Sequence, residues 1–132
     1  MIETGLQQEI NFVMTQARNN RLEFVTVEHL LLALLNIDEV VTFLRNKRAN
    51  VDELRGELEE YIDSHTPLLS QDSDIDIVPT VGFQRVLQRS VYQAQSAQKN
   101  TVYAMNVLVS ILSEKESHAV YLLKLNNISR LE

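Results

Sequence analysis

With 132 residues, no cysteine and a formal net charge of −6, the chain has the length of one ordinary domain. It can form no disulfide, thiolate metal site or cysteine nucleophile, and it lacks the general basic field of a nucleic-acid binder. Hydrophobic residues make up 45% and charged residues 23%, while three glycines and two prolines are too few for a turn-rich all-β protein, so helices are favoured.

Leu6, Ile10, Val13 and Ala17 recur at helical spacing and predict a buried stripe on a helix over about residues 4–19, ended by Asn19-Asn20-Arg21. Met1-Ile2-Glu3-Thr4 carries no basic region followed by an apolar run. No stretch approaches the roughly 20 apolar residues of a membrane span, and a cytoplasmic location is expected. After Leu22-Glu23-Phe24-Val25 comes the densest signal, Thr26-Val27-Glu28-His29-Leu30-Leu31-Leu32-Ala33-Leu34-Leu35. Thr26 is positioned as its N-cap, and Glu28 sets a carboxylate beside the positive end of the helix dipole. A third helix opens with Asp38 and Glu39, has Val40, Val41, Phe43 and Leu44 inside, and closes on Arg45, Lys47 and Arg48. Asn50 and Glu53 have the residue types of a capping box for a fourth helix to about Ser64, with Leu54, Leu58, Tyr61 and Ile62 on one face.

Periodicity is lost from His65 to Pro79, where Ser70, Asp72, Ser73, Asp74 and Asp76 make an acidic connector. Thr80 then caps a long helix whose stripe is Phe83, Leu87, Val91 and Ala94. Met105-Asn106-Val107-Leu108-Val109-Ser110-Ile111-Leu112 returns as a diluted copy of the Leu-rich helix. The two halves superpose at an offset of about 77 to 79 residues, matching Leu30 to Leu108, Leu34 to Leu112, Phe43 to Leu122 and Leu54 to Leu131. The fold class is therefore all-α, two pseudo-repeated four-helix units: repeat one about 1–64, linker about 65–79, repeat two about 80–132. The last helix is expected to be truncated at Ile128-Ser129-Arg130-Leu131-Glu132, as in a fragment of a longer polypeptide.

Signals for chemistry are few. His29, His65 and His118 have no metal-ligand spacing and read as surface or half-buried structural residues, so no metal is expected. Asp72-x-Asp74-x-Asp76 imitates the opening of an EF-hand loop, but Ile77 replaces the turn glycine and Phe83 the bidentate glutamate. Gly5, Gly56 and Gly82 are isolated, no phosphate-cradling loop exists, and no catalytic residue or enzyme activity is expected in these residues. Arg85 and Arg89 lie one helical turn apart, either as a solvated basic strip or as an interaction strip for a carboxylate-bearing partner.

Through the Glu28-His29-Leu30-Leu31 stretch, Pro79-Thr80-x-x-Phe83-Gln84-Arg85-Val86-Leu87-Gln88-Arg89, Asn106-Val107-Leu108-Val109, and Ser113-Glu114-x-Glu116-Ser117-His118-Ala119-x-Tyr121-Leu122-Leu123, the chain resembles the N-terminal repeat domain of Clp/Hsp100 unfoldases. The ClpA type is the nearest, and the resemblance spans almost the whole chain. It implies a docking module ahead of two ATPase modules that hold ATP and Mg²⁺, in a hexamer feeding protein substrates to the peptidase ClpP. The fragment itself would need no cofactor and would be monomeric. Carried over by motif position, the face for the adaptor ClpS would include Glu23, Glu28, Thr80, Arg85 and Arg89. ClpC-type relatives carry a Glu-His-Leu-Leu pattern in both units, whose glutamates read phosphoarginine; in this chain the repeat match sets Asn106 at the second glutamate position. Asn lacks the charge that strengthens a bond to a guanidinium. A stand-alone helical-repeat interaction protein, or the N-domain of a ClpC- or ClpB-type chaperone, is the alternative.

Overall fold

The computed structural model describes residues 1–70 and 76–129. Within them run α1 (Thr4–Asn19), β1 (Phe24–Val25), α2 (Val27–Leu34), α3 (Asp38–Asn46), α4 (Val51–His65), β2 (Val78–Pro79), α5 (Val81–Ser96), α6 (Ala104–Leu112) and α7 (His118–Leu125). The Leu131 match and the truncated final helix fall in residues outside those described, as do Asp72 and Asp74.

Leu6, Ile10, Val13 and Ala17 are all buried, as the spacing of α1 predicts. Helix α2 is apolar on nearly every side and sits at the centre, against α1, α4, α5, α6 and α7; α6 is the matching centre of the second unit. On α5 the buried residues are Phe83, Val86, Ser90 and Ala94, whereas Leu87 and Val91 are only half-buried, a correction to the predicted stripe. Burial of Ser90 is possible because its hydroxyl donates to the Val86 carbonyl (2.8 Å), so no polar group is left orphaned. Ser110 of α6 donates to the same carbonyl at 2.9 Å and ties the two helices.

Helices α1, α3, α5 and α7 end alike. A residue with positive φ follows each, Arg21 (58°), Arg48 (66°), Gln98 (59°) and Asn127 (66°). The next amide then returns to a carbonyl five residues back: Leu22 to Ala17, Ala49 to Leu44, Lys99 to Ala94 and Ile128 to Leu123. These are Schellman-type ends built without glycine, recurring at offsets of 77 and 79 residues.

The ends of the connector belong to the fold. The Glu23 amide donates to the Pro67 carbonyl (2.8 Å), Leu69 donates to Arg21 (2.7 Å), and β2 pairs in parallel with β1, Phe24 opposite Val78 and Val25 opposite Pro79. A second parallel bridge joins Ile2 to Val102. The two pairings are copies of one another with partners exchanged: Thr80 N–H donates to the Val25 carbonyl (3.0 Å) and Glu3 N–H to the Val102 carbonyl (2.9 Å). Each unit thus anchors the entry to the other unit's helices.

Candidate functional site

Glu23 and Thr80 are brought together by the β1–β2 pair. The Glu23 carbonyl accepts from Val78, and Thr80 follows two residues later, its backbone held by Val25. The Thr80 hydroxyl accepts from the Phe83 amide at 3.2 Å, so Thr80 is the N-cap that starts α5 and aims its first turn. Val78 (45% exposed) and Val81 (71%) flank it, leaving an apolar surface beside a half-buried glutamate. At Gly82 the first turn of α5 approaches α2 so closely that an added Cβ would stand 3.1 Å from Val27.

One turn further, Arg85 and Arg89 converge on Glu114, a residue the sequence reading did not single out as a partner. The Arg85 Nε donates at 2.9 and 3.1 Å and its Nη2 at 2.5 Å, while Arg89 donates to Glu114 at 2.8 Å and to the Ser110 carbonyl at 2.9 Å. Glu114 is buried, and hydrogen bonds from Arg85, opposed by burial and joined by those from Arg89, hold its carboxyl down at about 2. The pair is therefore an internal clamp rather than a solvated strip. Arg85 still leaves 53% of its side chain exposed against 26% for Arg89. A recess of about 450 Å³ opens here, bounded by Arg85, Arg89, Ser113, Lys115 and Ser117.

Glu28 stands apart from this face. It is 7% exposed, and its Oε2 accepts from the Ala119 amide at 2.9 Å, so its charge caps the N-terminus of α7 in the other unit. Its neighbour His29 is buried, not at the surface or half-buried as predicted, because its Nδ1 accepts from the Thr26 amide (3.0 Å) and closes a capping box. Burial drops its pKa to about 4, which keeps the ring neutral and able to accept. In unit two the same place is taken by Asn106, whose Oδ1 accepts from the Tyr103 amide at 2.8 Å. Asn106 is thus the counterpart of His29, and Met105 that of Glu28. This shifts the predicted match within these helices by one residue, to the 77-residue offset, and moves Asn106 off the second glutamate position. At Asn50 only half of the predicted capping box forms: its side chain accepts from Glu53 (3.0 Å), but its amide turns to Asn126 of the second unit (3.2 Å).

Among the described residues no group of three His, Cys, Asp or Glu could hold a metal ion, and no helix is long and apolar enough to cross a membrane.

Two pseudo-repeated helical units with exchanged lead-in segments define a class of helical repeat domain. The Hsp104 N-terminal domain from Candida albicans shares this fold with a TM-score of 0.82 at 16% identity, over 98% of this chain and 83% of that one. The N-terminal domain of the chaperone ClpD from Arabidopsis thaliana does so with a TM-score of 0.71 at 17% identity, over 98% and 86%. The Clp repeat (R) N-terminal domain model matches residues 1–126, and the chain belongs to that family. It is 34% identical over 128 residues to a ClpA homolog protein of Fuscovulum blasticum, a match covering 96% of this chain and 16% of that relative's length.

Proposed function

We propose that this chain is the adaptor- and substrate-docking domain of a ClpA-type ATP-dependent unfoldase subunit. In this reading it receives the adaptor ClpS, which delivers substrates with destabilising N-terminal residues for degradation by ClpP. The observation that carries the reading is the mixed surface at the junction of the units: Val78 and Val81 exposed around Thr80, Glu23 beside them, and the half-exposed Arg85 one turn on. A small apolar centre with polar and charged neighbours is the make-up of a reversible protein interface. The clamp on Glu114 supports this by fixing the Arg85 guanidinium before a partner arrives, which lowers the ordering cost of binding. Glu28 contributes indirectly, by holding α7 in place.

Titration calorimetry of the chain with purified ClpS tests the proposal. One-to-one binding that weakens with salt, and falls about tenfold or more in Glu23→Ala and in Val81→Asp, is expected. Val81→Asp keeps the helix, since an acidic residue in the first turn suits its dipole. Binding unchanged in both variants would remove this face from the interaction. No binding by the folded chain would remove ClpS as its partner.

A further inference from the structure

A second groove lies between α4 and α7, sharing no residue with the face around Thr80. On α4, Glu57, Glu60 and Tyr61 fall on one stripe; on α7, His118, Tyr121 and Leu125 fall on another, and the two face each other across about 300 Å³. One wall is a ladder of rings. Tyr61 is stacked between His65 (4.1 Å, 17°) and His118 (3.9 Å, 6°), and Tyr121 leans on His118 at 5.2 Å. The ladder joins the two units and fixes the groove's width. Burial and the nearby Glu28 raise the Tyr61 pKa, so that ring stays neutral.

The groove offers two carboxylates, exposed ring surface on Tyr121 (54%) and an exposed aliphatic rim at Leu125 (58%), and among the described residues no lysine or arginine lines it. It does not suit a metal ion, because a tyrosine ring separates its two imidazoles. From this combination we infer that the α4–α7 groove is a docking site for an arginine side chain of a partner polypeptide. A guanidinium is planar, stacks on an aromatic face and donates in a fork to carboxylates, while its stem covers aliphatic surface. The chain's net charge of −6 favours the approach of such a segment.

The test is an amide chemical-shift titration of the whole chain at about pH 8, above the range in which imidazoles ordinarily titrate, with a blocked Gly-Arg-Gly peptide. Its citrulline and lysine analogues are the comparison ligands. Saturable shifts confined to α4 and α7, with the citrulline peptide about tenfold weaker and lysine weaker than arginine, are expected. Tyr121→Ala and the double variant Glu57→Gln/Glu60→Gln should each weaken binding about tenfold. Glu59→Gln/Asp63→Asn, which removes the same charge from residues of α4 that face a different cleft, should not. Equal losses in the two double variants would reveal diffuse attraction and overturn the site. So would a citrulline or lysine peptide that binds as well as arginine, or shifts that do not saturate. The groove stands or falls independently of ClpS, since a chain that fails to bind the adaptor can still give the arginine result.

Discussion

The α2–α3 loop and the α6–α7 loop occupy equivalent places in the two units, and the second is two residues longer. In unit one the short loop is tied down at the surface through a neutral amide: Asn36 donates to Glu9 of α1 (3.1 Å) and accepts from Arg55 of α4 (3.1 Å). Arg55 also closes the end of α2 through the Leu35 carbonyl at 2.9 Å. In unit two the extra length carries Glu114 inward, where Arg85 and Arg89 of α5 meet it. Both units must fasten this loop to their first helix. One does so with an amide that faces solvent and a single guanidinium from α4, the other with a buried carboxylate and two guanidiniums of α5.

The comparison is broken most forcefully in the core. Leu44 and Leu123 are equivalent, each fully buried at the last turn of its helix, each lending its carbonyl to the helix end. Leu44→Ala and Leu123→Ala should each cost about 2–5 kcal/mol in urea unfolding. Equal costs with a single transition would mean that the units unfold as one body; separate transitions would mean they do not.

Next in size is the difference between His29 and Asn106 at the matching helix starts. The folded His29 has a pKa of about 4 against an ordinary 6.5, so between these values the unfolded chain takes up a proton that the folded chain refuses. The stabilisation is complete above about pH 6.5 and is lost as pH falls toward 4, by about 3 kcal/mol at the upper limit. Asn106 cannot titrate, so the effect belongs to unit one alone. His29→Gln should flatten urea stability over that window; a slope as steep as in the parent would place the proton uptake elsewhere.

Smallest is the contrast between the loops themselves. Glu114→Ala leaves Arg89 without its main partner and should lower Tm by about 5 °C, whereas Asn36→Ala should lower it by about 2 °C or less. The Glu114 contribution has its own pH signature. Its folded pKa lies below the ordinary carboxylate value, so the stabilisation is present above about pH 4.5 and disappears as pH falls toward about 2. Acid scans of the parent and Glu114→Ala should therefore converge at the acid end. A constant gap between them would show that packing rather than charge dominates.

Much of this architecture was legible in the residues. The stripe of α1 and the caps Thr26, Asn50 and Thr80 rest on local chemistry, in which a side chain three residues away supplies the partner. Where partners are distant, reading failed. Glu114 lies 29 residues from Arg85, and an acidic residue in a loop looks solvated until the fold closes on it. The one-residue slip in matching the units has a similar cause: the N-cap of α6 is Tyr103, which carries none of the usual N-cap chemistry, and the signal sits instead in Asn106 reaching back. Strands of two residues have no alternation to detect. The α4–α7 ring ladder needs both units assembled before Tyr61 and His118, far apart in sequence, become neighbours.

The crossed pairings of Ile2 with Val102 and of Val25 with Pro79 resemble a swapped dimer whose two copies share one polypeptide. A protease that nicks the connector would thus release no free half, because the pieces stay clasped through each other's entry segments. Either half made alone would leave those backbone groups to water or to a second copy of itself.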